Sequence, residues 1–152
     1  MLKLGLARIL AGLLFSLAAS ILIVFFVSLG YDVSGFSALG TTETYKIVFA
    51  VLLNPLTAIN LSHWDVIAAI AVGGLLGGLI SKSPTSGLLV GLLSFAAIFL
   101  LFLGLTLGFT NFSGWLTWVE TNASYIALDL LLCAALFAGT ASIGGKLTAE
   151  KE

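Results

Sequence analysis

AAIAVGGLLGGLISKSPTSGLLVGLLSFAAIFLL, residues 68–101, contains one charge, Lys82, between two long apolar runs. A helix crossing a hydrocarbon core of about 30 Å needs about 20 apolar residues, at about 1.5 Å of rise each. The first run reaches that length when extended back through Trp64 to Ser62, and the second when extended to Phe109. The polar turn Ser81-Lys82-Ser83-Pro84 is too short for anything but an antiparallel helical hairpin. In it, Ser83 is the expected N-cap and Pro84 the first helical residue, where a missing N–H costs nothing.

The same length test applied outward predicts an all-α fold with four transmembrane helices in one domain covering 1–152. The spans are expected at about 9–29, 62–81, 84–109 and 123–143, with an outer loop at 30–61. The first run follows Lys3 and Arg8 like a secretory signal. It exceeds a signal's apolar core and lacks a small-x-small cleavage pattern, so it reads as a retained span. Composition agrees: 60% of the 152 residues are apolar and six Lys/Arg plus seven Asp/Glu make only 9% charged, against about 25% in soluble domains. So few charges cannot cover a soluble surface. A net charge of −1 gives no basic excess for nucleic acid.

Ile47 to Leu61 is a fifth apolar stretch, but Asn54-Pro55 interrupts it and it is too short to cross. It reads as a broken re-entrant or outer-leaflet segment near 47–61, with Asn54 capping a new turn at Pro55. Irregular backbone at membrane depth must be buried in protein or line a cavity, which makes Asn54 a candidate lining residue.

Four spans with both termini cytoplasmic place Lys3, Arg8, Lys82, Lys146 and Lys151 inside and only Lys46 outside, as the positive-inside rule requires. A fifth span at 47–61 would leave only Lys3 and Arg8 inside. The sequons at Asn60, Asn111 and Asn122 all fall outside in the four-span topology, where glycosylation acceptors must lie. Asp32, Glu43, Asp65 and Glu120 share that face. Ser62-His63-Trp64-Asp65 reads as a capping-box variant opening the second span. Trp64, and then Trp115, Trp118 and Tyr125 in the loop before the fourth span, read as interfacial aromatics.

Glycines at four-residue spacing, Gly73/Gly77, Gly74/Gly78, Gly87/Gly91 and Gly104/Gly108, thin helix faces for close packing. Gly139 and Gly144-Gly145 do the same in the fourth span. The partner of such faces is another helix of this chain, a second copy in a homo-oligomer, or another membrane subunit. The stretch GGLLGGLISKSPTSGLLVGLLS, residues 73–94, resembles the core of small uncharacterised four-helix archaeal membrane proteins. That resemblance implies a bundle and no activity.

Asp129 is the one charge inside a span, about five residues below the outer end, where an acid must be paired, protonated or facing water. Its expected partners are Tyr125, Thr106 or Thr110. The alternatives are a proton- or cation-binding carboxyl, with Tyr125 and Asn54 completing the site, and a carboxyl satisfied by neighbouring hydroxyls. His63 and Asp65 are neighbours at the outer end of the second span, but with one histidine and one cysteine in the chain neither a catalytic zinc nor a disulfide framework can form. Cys133, one turn after Asp129, reads as a buried inert thiol. No nucleophile elbow, phosphate loop or cofactor motif occurs. The expected function is therefore a non-enzymatic structural or accessory subunit in the cell membrane, without cofactor or metal. The alternative is a small oligomeric channel or transporter using Asp129.

Overall fold

The computed structural model describes residues 2–149. It is helical throughout, without strands among those residues. Helix α1 (Leu2–Ile23) runs directly into one π-helical stretch, Val24–Ser28, and a 3₁₀ helix follows at Val33–Gly40. Two short helices, α2 (Thr42–Leu52) and α3 (Pro55–Asn60), precede the hairpin of α4 (Trp64–Ser81) and α5 (Pro84–Leu107), and α6 (Phe112–Leu147) follows. Four of these are long and apolar enough to cross a bilayer: Leu4–Ser28, α4, α5 and α6. Lys151, expected on the cytoplasmic face, lies outside the described residues.

The hairpin closes as its residues dictate. Ser83 accepts the Ser86 N–H at 3.1 Å and Pro84 takes the first helical position. Lys82 ends α4 in the left-handed conformation, φ 59°. The expected capping box at the other end of α4 does not form. Ser62 sits at φ 62°, outside the extended conformation of an N-cap, so His63 takes the cap position without a side-chain bond.

The fourth span begins eleven residues earlier than its apolar window. Asn111 caps α6 by accepting the Gly114 N–H at 3.1 Å, after Gly108 has ended α5 at φ 96°. Trp115 and Trp118 are therefore helical rather than loop residues. Trp118 packs on Phe102 and Phe99 of α5, with ring centroids 5.6 and 6.4 Å away. The polar residues from Thr117 to Asn122 mask the helix in a hydropathy reading, yet a helix longer than a bilayer crossing requires can be polar over its surplus length. At 36 residues, α6 is about 54 Å long against an apolar thickness of about 30 Å.

Helix α4 packs between α1 and α6, and α5 closes the bundle against α6, α1 and α4. The two ends of the bundle are held by different means. Where α4 ends and α5 begins, backbones touch. A Cβ on Gly12 would meet the Gly77 carbonyl at 2.6 Å, and one on Gly77 the Gly12 carbonyl at 2.8 Å, which fixes the α1–α4 crossing. Additions at Gly78 and Gly87 would both strike the Ala141 carbonyl, and one at Gly91 the Phe137 carbonyl, so α6 lies in a groove of α4 and α5. Buried serines add polar ties: Ser94 donates to Ser16 at 2.9 Å and Ser20 to the Ala69 carbonyl at 3.2 Å.

At the opposite end the core is aliphatic and aromatic. Val24, Val48, Phe49, Leu52, Val66, Ile70, Ile98 and Phe137 are buried together. Helices α2 and α3 supply part of this core by lying against α5 and against α4 and α6 respectively. The broken segment is thus wedged against the bundle by one face, with Thr44, Val48, Phe49 and Leu52 on the buried side of α2 and Ile47 exposed on the other.

Candidate functional site

The interruption between α2 and α3 brings the chemistry-bearing residues together. Pro55 has no N–H to offer, and the break leaves the last carbonyls of α2 and the first amides of α3 without helical partners. Asn54 stands at the α3 cap position but does not cap it. Its side-chain amide turns back and donates to the Ala50 carbonyl at 2.6 Å, closing α2 instead.

The α3 amides are met from another helix. Asp129 Oδ1 accepts the Leu56 N–H at 2.7 Å and the Thr57 N–H at 3.2 Å, while Oδ2 accepts the Thr57 hydroxyl at 3.3 Å. The residue is 5% exposed, so this is a carboxylate acting as a helix cap across the fold. One turn along α6, the Cys133 thiol donates to the Leu52 carbonyl at 3.2 Å. Two residues four apart on one helix therefore satisfy both sides of the same break. Sequence reading located Asp129 and Cys133 on one face but missed their partners, which lie some 70 to 80 residues earlier in the chain.

The partners expected for Asp129 are not the ones it has. Tyr125 is 82% exposed and is not among the carboxylate's donors. Thr106 and Thr110 form none of the bonds to it. Of the proposed trio only Asn54 lies close by, on the break that Asp129 caps.

Asn54 also borders a cavity of about 340 Å³ between the end of the π-helical stretch, α2, α3 and the start of α4. Ser28, Thr57, His63 and Asp65 line it too. Asp65 lies 3.7 Å from His63 Nδ1, beyond hydrogen-bonding distance, and among the described residues no group of three His, Cys, Asp or Glu could hold a metal.

The glycines divide by what they meet. Gly73 faces Ser16 and Ser20 of α1, Gly74 faces Phe137 and Thr140 of α6, and Gly77, Gly78, Gly87 and Gly91 make the close crossings described above. Gly144 meets α4 at Leu75 and Gly145 meets Ser83. Gly104 instead faces the Phe109 ring of its own connecting turn, Gly108 is the positive-φ end of α5, and Gly139 has open space around it. Gly12 belongs to the crossings, and its small neighbour at four-residue spacing is Ser16 rather than a second glycine, so glycine pairs alone pass over it.

The three sequons differ as acceptors. Asn60 is exposed at the end of α3. Asn111 is occupied as the α6 cap, and its amide donates to the Leu107 carbonyl at 3.3 Å. Asn122 lies within α6 and donates to the Trp118 carbonyl at 2.8 Å.

Comparison with protein-family models, curated proteins and solved structures finds no match for this chain.

Proposed function

We propose that the chain is a non-enzymatic multi-pass membrane protein, with both termini cytoplasmic, that serves as a structural or accessory subunit of a membrane assembly. The observation that carries this reading is the occupation of Asp129. The one buried acid among the described residues of the four long helices spends its carboxylate on two amides and a hydroxyl of α3, in a fold-holding role that leaves no carboxylate oxygen without a donor. The glycine faces of α4 and of the start of α5 are likewise taken up by contacts within the chain. What remains outward on α1 is a row of leucines, Leu6, Leu10 and Leu14, suited to lipid or to the helix of another subunit.

The orientation is supported by charge. Arg8, Lys82 and Lys146 belong to one end of the bundle, and Asp32, Glu43, Asp65 and Glu120 to the other. On this reading α2 and α3 dip into the outer leaflet, where the polar backbone of their break is covered by α6 rather than lipid.

Two experiments test the proposal. Purification of the tagged chain in mild detergent is expected to bring down a stoichiometric membrane partner or a defined homo-oligomer. A strictly monomeric particle would overturn the subunit reading. In liposomes the chain is expected to pass neither protons nor monovalent cations. Flux that disappears in Asp129→Asn would establish the channel or transporter reading instead. Orientation is read separately: an impermeant thiol reagent added outside is expected to label Ser113→Cys and not Lys82→Cys, with buried Cys133 contributing no background.

A further inference from the structure

Taking the chain as membrane-spanning, as above, we propose that the 3₁₀ helix Val33–Gly40 is an interfacial anchor whose Val33-Phe36-Leu39 edge sits in the outer headgroup layer of the bilayer. A 3₁₀ helix has three residues per turn, so side chains three apart stack in straight edges along it. Over its eight residues this sorts VSGFSALG into three edges of different character. Val33, Phe36 and Leu39 form an apolar edge, Ser34 and Ser37 a polar one, and Gly35 and Ala38 a small one. An α-helix of the same sequence would fan the three apolar residues over about a third of its circumference. The small edge faces the protein: Gly35 sits so close to the Tyr31 ring that a Cβ would meet it at 2.8 Å. Tyr31 in turn stacks on buried Phe25, with ring centroids 4.5 Å apart. The apolar edge is left outside, Val33 being 81% and Phe36 53% exposed, and no residue of this helix is buried.

What covers that edge follows from where it is fixed. The preceding span, Leu4–Ser28, is about 37 Å long at about 1.5 Å per residue, more than the apolar core of about 30 Å and less than the 40–45 Å that includes both headgroup layers. The 3₁₀ helix begins five residues after that span ends and is clamped to it by the Tyr31 stack and by Phe26, whose ring lies 6.0 Å from that of Phe36. It is therefore held at headgroup level. The outward side of the span, with Leu22 and Val27 exposed, leads up to the apolar edge without a charged residue between them until Asp32. From Val33 to Thr42 there is no charge, and Asp32 and Glu43 bracket the stretch. Apolar side chains on one edge, serines on another and acids at the ends suit a segment lying in the interface, where hydrocarbon sinks and polar groups keep to water. The apolar edge is about 12 Å long and one side chain wide, a fraction of the roughly 800 Å² per partner that a stable protein interface covers. A lipid surface sets no such minimum.

Nitroxide labels on single cysteines test this in phosphatidylcholine liposomes, with the full chain in a Cys133→Ser background. Each label is scored by its collisions with oxygen, which concentrates in lipid, and with a water-soluble nickel chelate present on both sides. Labels at Val33→Cys and Phe36→Cys are expected to favour oxygen severalfold over a label at Ser37→Cys on the polar edge. Leu14→Cys, near the middle of the span and 67% exposed in the natural chain, is the lipid-facing reference. If positions 33 and 36 meet nickel as often as position 37 while Leu14→Cys stays shielded, the anchor is overturned and the spanning helix stands. Shielding of 33 and 36 from both reagents would mark a protein contact in place of lipid and overturn it as well. Nickel access at Leu14→Cys would overturn the membrane reading and the anchor with it. Phe36→Asp adds a second measure: a charge on the apolar edge should lift it into water and open Val33→Cys to nickel, and unchanged shielding there would count against the edge as the seat of the contact.

Discussion

The Asp129 carboxylate accepts the backbone N–H of Leu56 at 2.7 Å across 73 residues of sequence, and so caps a helix to which it does not belong. A helix of six residues would be marginal alone, since nucleation is costly and all its terminal amides need partners. The partner supplied from α6 both satisfies those amides and fixes where α3 can lie.

Replacing Asp129 should accordingly lower stability more than any transport activity. Asp129→Leu leaves the half-buried Leu56 amide and the Thr57 amide without their acceptor and is expected to cost roughly 1–3 kcal/mol. Asp129→Asn keeps one acceptor oxygen and should cost about 1 kcal/mol. Unfolding in mixed detergent measures both, and hydrogen exchange should accelerate at Leu56 and Thr57 before it does in the α4–α6 contact.

Cys133 offers a milder test of the same break. Cys133→Ser retains a donor for the Leu52 carbonyl and should remain within about 1 kcal/mol of the natural chain, whereas Cys133→Ala removes it and should be the less stable of the two. Combined with Asp129→Asn, the losses should depart from additivity, because both residues position the same α2–α3 wedge. A double-mutant cycle on unfolding free energy reads that coupling.

The glycine contacts predict opposite signs at two positions of similar sequence character. A Cβ at Gly78 would run into the backbone of Ala141, which cannot turn aside, and Gly78→Ala should cost about 1–3 kcal/mol. Gly139 has open space, so Gly139→Ala should instead stabilise α6 by about 0.5–1 kcal/mol. Thermal midpoints of the two variants, compared with the natural chain, check the difference.

At the start of the 3₁₀ helix, Asp32 accepts hydrogen bonds from the Ser34 hydroxyl and from the Gly35 N–H at 3.0 Å, and these hold its carboxyl below the ordinary value of 3.8. The turn is therefore favoured above pH 3.8 and loses that support as pH falls through the lowered folded value. Ser34→Ala removes the largest cause and should move the Asp32 titration, followed by carboxyl carbon NMR, back towards 3.8.

If the acidic end faces a glycosylating compartment, Asn60 is the residue expected to be modified, because Asn111 and Asn122 commit their side-chain amides to helix carbonyls. Expression in a host that glycosylates N-x-S sites should give one mobility shift, removed by Asn60→Gln and unaffected by Asn122→Gln.

The four long helices were legible because lipid crossing imposes a length and a composition that a window can detect. The Ser83-Pro84 start was legible because capping is local. What escaped the sequence was either masked or distant. Asn111 caps α6 through an ordinary local bond, but the polar residues after it outweighed that signal. Ser62 and Asp65 have the spacing of a capping box, yet the left-handed turn at Ser62 comes from how α3 meets α4, which no spacing encodes. The role of Asp129 was readable only as a cost needing compensation, since the compensating amides belong to residues 56 and 57.

That long-range cap also sets an order of events during synthesis. Leu56 and Thr57 emerge from the ribosome more than seventy residues before Asp129. Until α6 arrives, the first amides of α3 lack their acceptor and are left to water. A nascent chain arrested before α6 should therefore leave the Leu56 and Thr57 amides open to hydrogen exchange, and completing α6 should protect them. Arrival of α6 is thus the step that commits the wedge to the bundle.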